Sequence, residues 1–153
     1  MPEGRVHNLV NLTWLILVLL AVGGGWGLGW LEIGWLEVMV FAGTYLFMTF
    51  FLSPDLDLEQ CNSRRHWSVL SFLWKPYAFL FRHRGVSHHW LWGPLTRLIY
   101  LMLWALPVLY WGQQYYGWSM AEKLRQMSGR LWIALGTGVY LPHWLHVILD
   151  RLE

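Results

Sequence analysis

The chain is poor in ionisable residues and in cysteine, and each scarcity excludes a class of protein. Charged side chains make up 13% of the 153 residues, and the formal net charge is only +2. The lysines and arginines are too few and too scattered for a nucleic-acid-binding surface, so nucleic acid is excluded as a partner. Because Cys61 is the single cysteine, an internal disulfide and the usual metal-thiolate patterns are excluded as well.

Apolar and aromatic residues are abundant instead. The composition is 56% hydrophobic with 13 tryptophans, and the mean hydropathy is +0.36. A soluble core of this size could not bury so many indole rings, whereas a membrane interface accommodates them. The first apolar run lacks a cleavage site of the A-x-A type, so we expect it to be a retained helix. The sequence therefore predicts an integral membrane protein whose partner is the lipid bilayer.

Four apolar stretches are each long enough to cross the hydrocarbon layer of a membrane, which takes about 20 helical residues. They cover residues 9–28, 33–52, 92–113 and 131–149. Pro107 and Pro142 interrupt the last two stretches, but membrane helices tolerate proline. The predicted fold is all-α, a four-helix transmembrane bundle that forms a single domain over residues 1–153.

The region between the second and third stretches holds a further apolar run, Trp67–Phe81. It is too short to span a membrane and is broken by Lys75 and Pro76, so we predict an interfacial helical segment or a packed helix pair. Alternating spans place most basic residues at the face of the N-terminus, which predicts that this face is cytoplasmic in an inner or plasma membrane. Lys123, Arg125 and Arg130 lie at the opposite face. Eight basic residues lie at the face of the N-terminus: Arg5, Arg64, Arg65, Lys75, Arg82, Arg84, Arg97 and Arg151.

Histidines and aspartates occur at the edges of the apolar stretches, and alternation brings those edges to the same face. On the fourth stretch, His143, His146 and Asp150 are spaced by three and four residues, which places them on one helical face. A histidine and a carboxylate four residues apart on a helix can share a divalent ion. An interfacial histidine followed by a polar helix end is the plain alternative for this helix taken alone.

Two other segments bring further candidates to the same face. Asp55 and Asp57 follow Pro54 at the end of the second stretch. Acidic side chains at the C-terminal end of a helix interact unfavourably with the helix dipole, and a bound cation would compensate this cost. In the stretch 82–89, Gly85 lets His83 and His88 converge. The neighbouring arginines favour neutral imidazoles that can bind a metal ion, and they also attract anions. A solubilising acidic turn and a plain cationic loop are the respective alternatives.

The combined segments resemble a bacterial family of metal-binding membrane proteins, which is similar in turn to the LexA-regulated membrane-bound metal-dependent hydrolases. The resemblance covers most of the chain. It rests on these segments: Met1–His7, Phe51–Leu58, Trp74–Tyr77, His83–His88 with Gly93 and Arg97, and His146–Asp150. It implies a set of divalent-metal ligands formed by His7, Asp55, His83, His88, His146 and Asp150, with Asp57 as a further ligand or an acceptor behind them. His89 and His143 match no position of the pattern.

Two functions are compatible with such a site. In the first, the protein is a metal-dependent hydrolase of a phosphoester or lipid-like substrate at the cytoplasmic interface, with Asp57 and Arg84 as catalytic candidates. Arg82, Arg84 or Arg97 would bind the anionic group of the substrate. Zinc suits the imidazoles best, manganese or iron would tolerate the carboxylates, and the site would hold two ions in this reading. In the second, the same ligands hold a structural ion that ties helix ends together. A transporter is disfavoured because the middle of the spans holds almost no ionisable residue.

Overall fold

The computed structural model describes residues 4–58, 61–81, 85–117 and 119–152, and within these ranges the chain forms helices and turns but no strand. The α-helices are α1 Gly4–Gly27, α2 Trp35–Phe50, α3 Asn62–His66, α4 Trp74–Leu80, α5 Trp92–Tyr116, α6 Met120–Arg125 and α7 Gly129–Leu152. Short 3-10 helices cover Pro54–Asp57, Ser68–Leu73 and Val86–His88. The predicted all-α class is confirmed.

Four of these helices are long and apolar enough to cross a membrane. They are α1, α2 with its continuation to Asp57, α5 and α7. Each coincides with one of the predicted stretches, and both α5 and α7 run unbroken through their internal prolines. Large apolar side chains such as Leu20, Val108 and Ile133 are exposed on the helix surfaces. That pattern is typical of helices that meet lipid rather than water.

The helix ends follow from local chemistry. Gly117 ends α5 in the left-handed conformation, with φ +67°, that glycine adopts without strain. Ser119 then starts α6, because its hydroxyl accepts a hydrogen bond from the Glu122 amide at 3.2 Å. The S-x-x-E order is that of a capping box. The sequence predicts the four long helices and the segment between the second and third, so α6 is an addition to the predicted fold.

The central pair of the molecule is α2 and α7, which approach closely at Gly138. A Cβ atom at that position would lie 2.8 Å from the Phe41 carbonyl oxygen and 2.9 Å from Cβ of Thr44. Small residues permit such close helix contacts in membranes. On the other side of α2, the hydroxyl of Tyr45 donates to the carbonyl oxygen of Asn11 at 3.0 Å, which fixes α1 to the pair.

The long helix α5 is packed at one end only. Three of its four buried residues, Gly93, Pro94 and Arg97, lie in the first two turns of α5. Farther along, Leu103, Trp104 and many other large side chains are exposed. The four predicted apolar helices are therefore present, but α5 diverges from the other three over most of its length.

The segment between α2 and α5 supplies most of the buried core. Met48 of α2 packs against Leu52, Leu56, Trp74 and Tyr77 of this segment. The predicted helix pair is confirmed as the 3-10 helix Ser68–Leu73 followed by α4. Its Pro76 lies in the first turn of α4, where proline needs no hydrogen-bond partner. The core thus lies at one end of the α2 and α7 pair, directly beside the predicted ligands.

Candidate metal centre

Four of the predicted ligands converge at this end of the molecule. One donor atom from each of Asp55, His88, His146 and Asp150 can be chosen so that all four lie within 4.8 Å of one another. Nε2 of His88 lies 3.1 Å from Oδ2 of Asp150. Nε2 of His146 lies 3.3 Å from Oδ2 of Asp55 and 3.4 Å from Oδ2 of Asp150. These residues come from α7 and from the 3-10 helices that follow α2 and precede α5.

His7 of α1 joins the group from the side. Its ring stacks on the His146 ring, with the centroids 4.1 Å apart and the planes inclined by 23°. Its Nε2 atom lies 3.3 Å from Oδ1 of Asp150. His7 and His146 are both 3% exposed, whereas the side chains of Asp55 and Asp150 are 22% and 21% exposed. The imidazoles of these two histidines therefore form the floor of the site, and the carboxylates face its open side.

Ser87 sets the distance between the two 3-10 helices that carry Asp55 and His88. Its hydroxyl is fully buried and donates to the Pro54 carbonyl oxygen at 2.8 Å. Ser87 immediately precedes His88, and Pro54 immediately precedes Asp55. This one hydrogen bond therefore positions two ligands. Proline at the start of Pro54–Asp57 favours the helical turn, because its φ is already restricted to helical values.

Arg97 and His143 form a buried connection behind the ligands. The Arg97 guanidinium donates to the carbonyl oxygens of Gly93, at 2.9 Å, and of Leu52. It also donates to Nδ1 of His143 at 2.8 Å. Arginine has no acceptor, so Nδ1 of His143 must be unprotonated and Nε2 carries the hydrogen that it donates to the His89 carbonyl oxygen at 3.2 Å. Both ring nitrogens of His143 are thus used in holding α5, α7 and the loop before α5 together.

The remaining predicted site residues have different fates. His83 and Arg84, with Arg82, lie outside the described residues, so their predicted roles stay predictions. Asp57 is buried but is not a member of the four-donor group; its charge and that of Asp55 act on Arg97. His89 caps α5, because its Nδ1 accepts from the amides of Leu91 and Trp92, each at 3.2 Å.

Sequence reasoning overlooked two supporting residues and misjudged a third. Ser87 stood inside the His-containing segment without a role, and Asn11, one turn after His7, was not considered. Arg97 was expected to contact an anionic substrate group, yet it is fully buried and donates to backbone carbonyls. The glycine at position 93 is the sequence feature that indicates this close packing. A Cβ there would lie 2.4 Å from the Ser87 carbonyl oxygen and 2.7 Å from Cε1 of His143.

The donor set fits a divalent cation. Imidazole and carboxylate are common ligands of zinc and of the neighbouring transition metals. With both carboxylates ionised and the three imidazoles neutral, as metal binding requires, the donors would carry a charge of −2, which one divalent ion would compensate. Two carboxylates held this close together repel each other, and a cation between them removes that cost.

Comparison with known protein families points to the same chemistry. A profile of the family described as "Uncharacterized metal-binding protein (DUF2227)" matches residues 2–153. An "Uncharacterized protein" of Aquifex aeolicus (strain VF5) is 49% identical over 57 residues, which cover 37% of this chain and 40% of that relative. The match thus spans about two fifths of each protein. No solved structure matches the chain.

Proposed function

Since this chain belongs to the family of uncharacterized metal-binding proteins, we propose that it binds a divalent metal ion through Asp55, His88, His146 and Asp150. The observation that carries the proposal is the approach of these four donors from three separate parts of the chain to within 4.8 Å of one another. His7 is a candidate fifth ligand, because its Nε2 atom faces Asp150. His83 remains a candidate from its place in the sequence.

The charge of the donors favours a single ion at this position, and their chemistry favours zinc. Neutral imidazoles suit zinc, while manganese or iron would be better matched to a site with more carboxylates. A second ion would need further ligands, for which Asp57 and His83 are the nearest candidates in the sequence. We therefore expect about one tightly held ion per chain, as in mononuclear sites with four protein or water ligands.

We further propose that the protein is embedded in an inner or plasma membrane, with the metal centre at the cytoplasmic face. The four apolar helices and their exposed apolar surfaces support insertion. The excess of basic residues at the ligand-bearing end supports the orientation, because cytoplasmic loops of membrane proteins are enriched in lysine and arginine.

The open side of the centre favours a catalytic role over a closed structural one. Asp55 and Asp150 are about one-fifth exposed, and catalytic metal sites keep a position open for water or substrate. A divalent ion supplies Lewis acidity that polarises a phosphoryl or carbonyl oxygen. We propose hydrolysis of a phosphoester or lipid-like substrate, with Asp57 as the candidate proton acceptor and Arg84 as the candidate cation for the anionic group. A structural clamp is the alternative.

Elemental analysis of the purified full-length protein tests the centre before any choice of substrate. We expect about one zinc, manganese or iron atom per wild-type chain, and loss of that metal in His88→Ala and Asp150→Asn. Matched controls are His66→Ala and Glu122→Gln, which remove an exposed imidazole and an exposed carboxylate outside the group. Metal retained by His88→Ala and Asp150→Asn, with circular dichroism as in the wild type, would rule out these ligands.

The same preparations distinguish a metal-dependent hydrolase from a protein with a structural metal ion. A hydrolase loses turnover of soluble phosphodiester and short-chain lipid substrates on chelation and regains it on metal addition, whereas a clamp shows no turnover but a lower melting temperature after chelation. A bound ion stabilises the folded state in either case, because the unfolded chain offers no assembled site. Activity that is independent of metal would argue against the proposed reaction.

A further inference from the structure

A basic pocket lies in the segment between α2 and α5, apart from the metal centre. It has a volume of about 330 Å³ and is lined by three cations and two hydroxyl groups: Arg64, Arg65, Ser68, Ser71 and Lys75. None of these residues belongs to the candidate ligands, and no acidic side chain lines the pocket among the described residues. Guanidinium, ammonium and hydroxyl groups are the donors that bind phosphate oxygens.

Arg64 is the anchor of this pocket. Only 6% of its surface is exposed, and among the described residues its guanidinium donates only to the Leu58 carbonyl oxygen, at 3.4 Å. No carboxylate of the described ranges forms an ion pair with it. A buried cation is costly unless an opposite charge compensates it, so an anion in the pocket would stabilise Arg64. The backbone amide of Arg64 is occupied by Sγ of Cys61, which fixes the start of α3.

The surroundings of the pocket distinguish a lipid from a free anion. Val69, Phe72, Phe79 and Leu80 belong to the same segment and are all exposed. Exposed apolar side chains next to a cationic pocket form the pattern of an interfacial segment, which inserts its apolar residues between acyl chains and keeps its cations at the headgroups. A phosphate presented by a lipid would meet both features, whereas inorganic phosphate would use only the cations.

We propose that this pocket binds the phosphate of an anionic phospholipid headgroup. Arg64 contributes the buried charge, and Arg65 and Lys75 contribute exposed charges that neutralise the remaining phosphate oxygens. Ser68 and Ser71 offer hydroxyl donors. An anionic headgroup is preferred over a zwitterionic one, because the described lining residues include no carboxylate that could bind a choline or ethanolamine cation.

Titration calorimetry of the full-length protein in a neutral detergent tests the proposal, with three soluble probes: dioctanoyl phosphatidylglycerol, dioctanoyl phosphatidylcholine and inorganic phosphate. We expect phosphatidylglycerol to bind about tenfold more tightly than either of the others. The double variant Arg65→Gln/Lys75→Gln should lose about tenfold in affinity for phosphatidylglycerol, because each basic residue near an anionic surface contributes to binding. Both residues are exposed, so the variant should fold.

The matched control is Lys123→Gln/Arg125→Gln, which removes the same charge from exposed positions of α6. Its affinity should stay within about twofold of the wild type. Equal losses in both double variants, or equal affinity for phosphatidylglycerol and phosphatidylcholine, would overturn the proposal. Inorganic phosphate binding as tightly as phosphatidylglycerol would also overturn it in favour of a free anion. Metal content, measured on every variant, separates this site from the metal centre, since we expect it to be unchanged.

Discussion

The hydroxyl of Ser87 is a residue-scale feature with consequences for two ligands. It fixes the Pro54 carbonyl oxygen next to Asp55, while its own neighbour is His88. Groups that orient metal ligands from behind contribute measurably to metal affinity. Ser87 contacts neither carboxylate of the centre through any described hydrogen bond, so its effect on metal binding would be transmitted by the backbone.

Replacing Ser87 with alanine should therefore weaken metal binding without removing a ligand. We expect about 10-fold to 100-fold lower affinity, the range typical of changes in groups that support metal ligands. The buried Pro54 carbonyl would lose its partner, at a cost of about 1–3 kcal/mol in unfolding free energy. Competition with a chromophoric chelator measures the affinity, and denaturant titration measures the stability.

Thr13→Val is the control for Ser87→Ala, because it also deletes a hydroxyl that donates to a carbonyl, but at an exposed position of α1. It should leave metal affinity unchanged. Equal metal affinity in Ser87→Ala and the wild type would show that the loop spacing does not depend on this hydrogen bond.

His143 and His146 show where residue spacing stops being informative. Their separation, with Asp150, correctly predicted a shared helix face. It could not show that Arg97, 46 residues away, occupies Nδ1 of His143 and leaves only His146 to face the carboxylates. A contact between distant residues decides which histidine is available, and the local sequence does not contain it.

At the scale of elements, the contact between α2 and α7 depends on Gly138. Gly138→Ala should lower the unfolding free energy by about 1–3 kcal/mol, because the new methyl group would overlap the Phe41 carbonyl and the Thr44 side chain. Gly136→Ala is a matched change two residues earlier, where nothing lies within 4 Å of the added Cβ. It should be neutral or stabilising by up to about 1 kcal/mol, since alanine favours helix over glycine.

Unfolding of the detergent-solubilised variants, followed by circular dichroism, measures this difference. Equal stabilities for the two variants would mean that α2 and α7 are farther apart than described. A loss in Gly136→Ala alone would place the close contact on another face of α7.

Element boundaries were largely readable from the sequence, because apolar length and proline placement act locally. The four long helices and the pair around Pro76 were predicted on those grounds. The helix α6 was missed, although Ser119 and Glu122 have the spacing of a capping box. The divergence of α5 was not predictable from apolar length, since a lipid-facing helix and a packed helix have similar composition.

For the whole molecule, four spans would bring the start of α1 and the end of α7 to one face and α6 to the other. Single cysteines in a Cys61→Ser background test this arrangement. The native thiol is a poor reporter, because Cys61 is buried and burial raises its pKa. Less thiolate is therefore present near neutral pH than for an exposed cysteine.

A membrane-impermeant maleimide applied to intact bacterial spheroplasts should label Lys123→Cys at once and Arg5→Cys only after permeabilisation. Both positions are exposed, so burial does not limit either reaction. Labelling of Arg5→Cys alone would reverse the orientation. Labelling of both would show that the helices do not cross the membrane between them.

The convergence of distant segments at the metal centre has a consequence for biosynthesis. His7 is made early, Asp55 and His88 follow, and His146 and Asp150 lie in α7. A nascent chain that has not yet released α7 from the ribosome therefore lacks two of the five donors and holds only His7, Asp55 and His88. Metal capture would be among the last steps of assembly, and a chain that stalls before α7 would retain the ion less tightly.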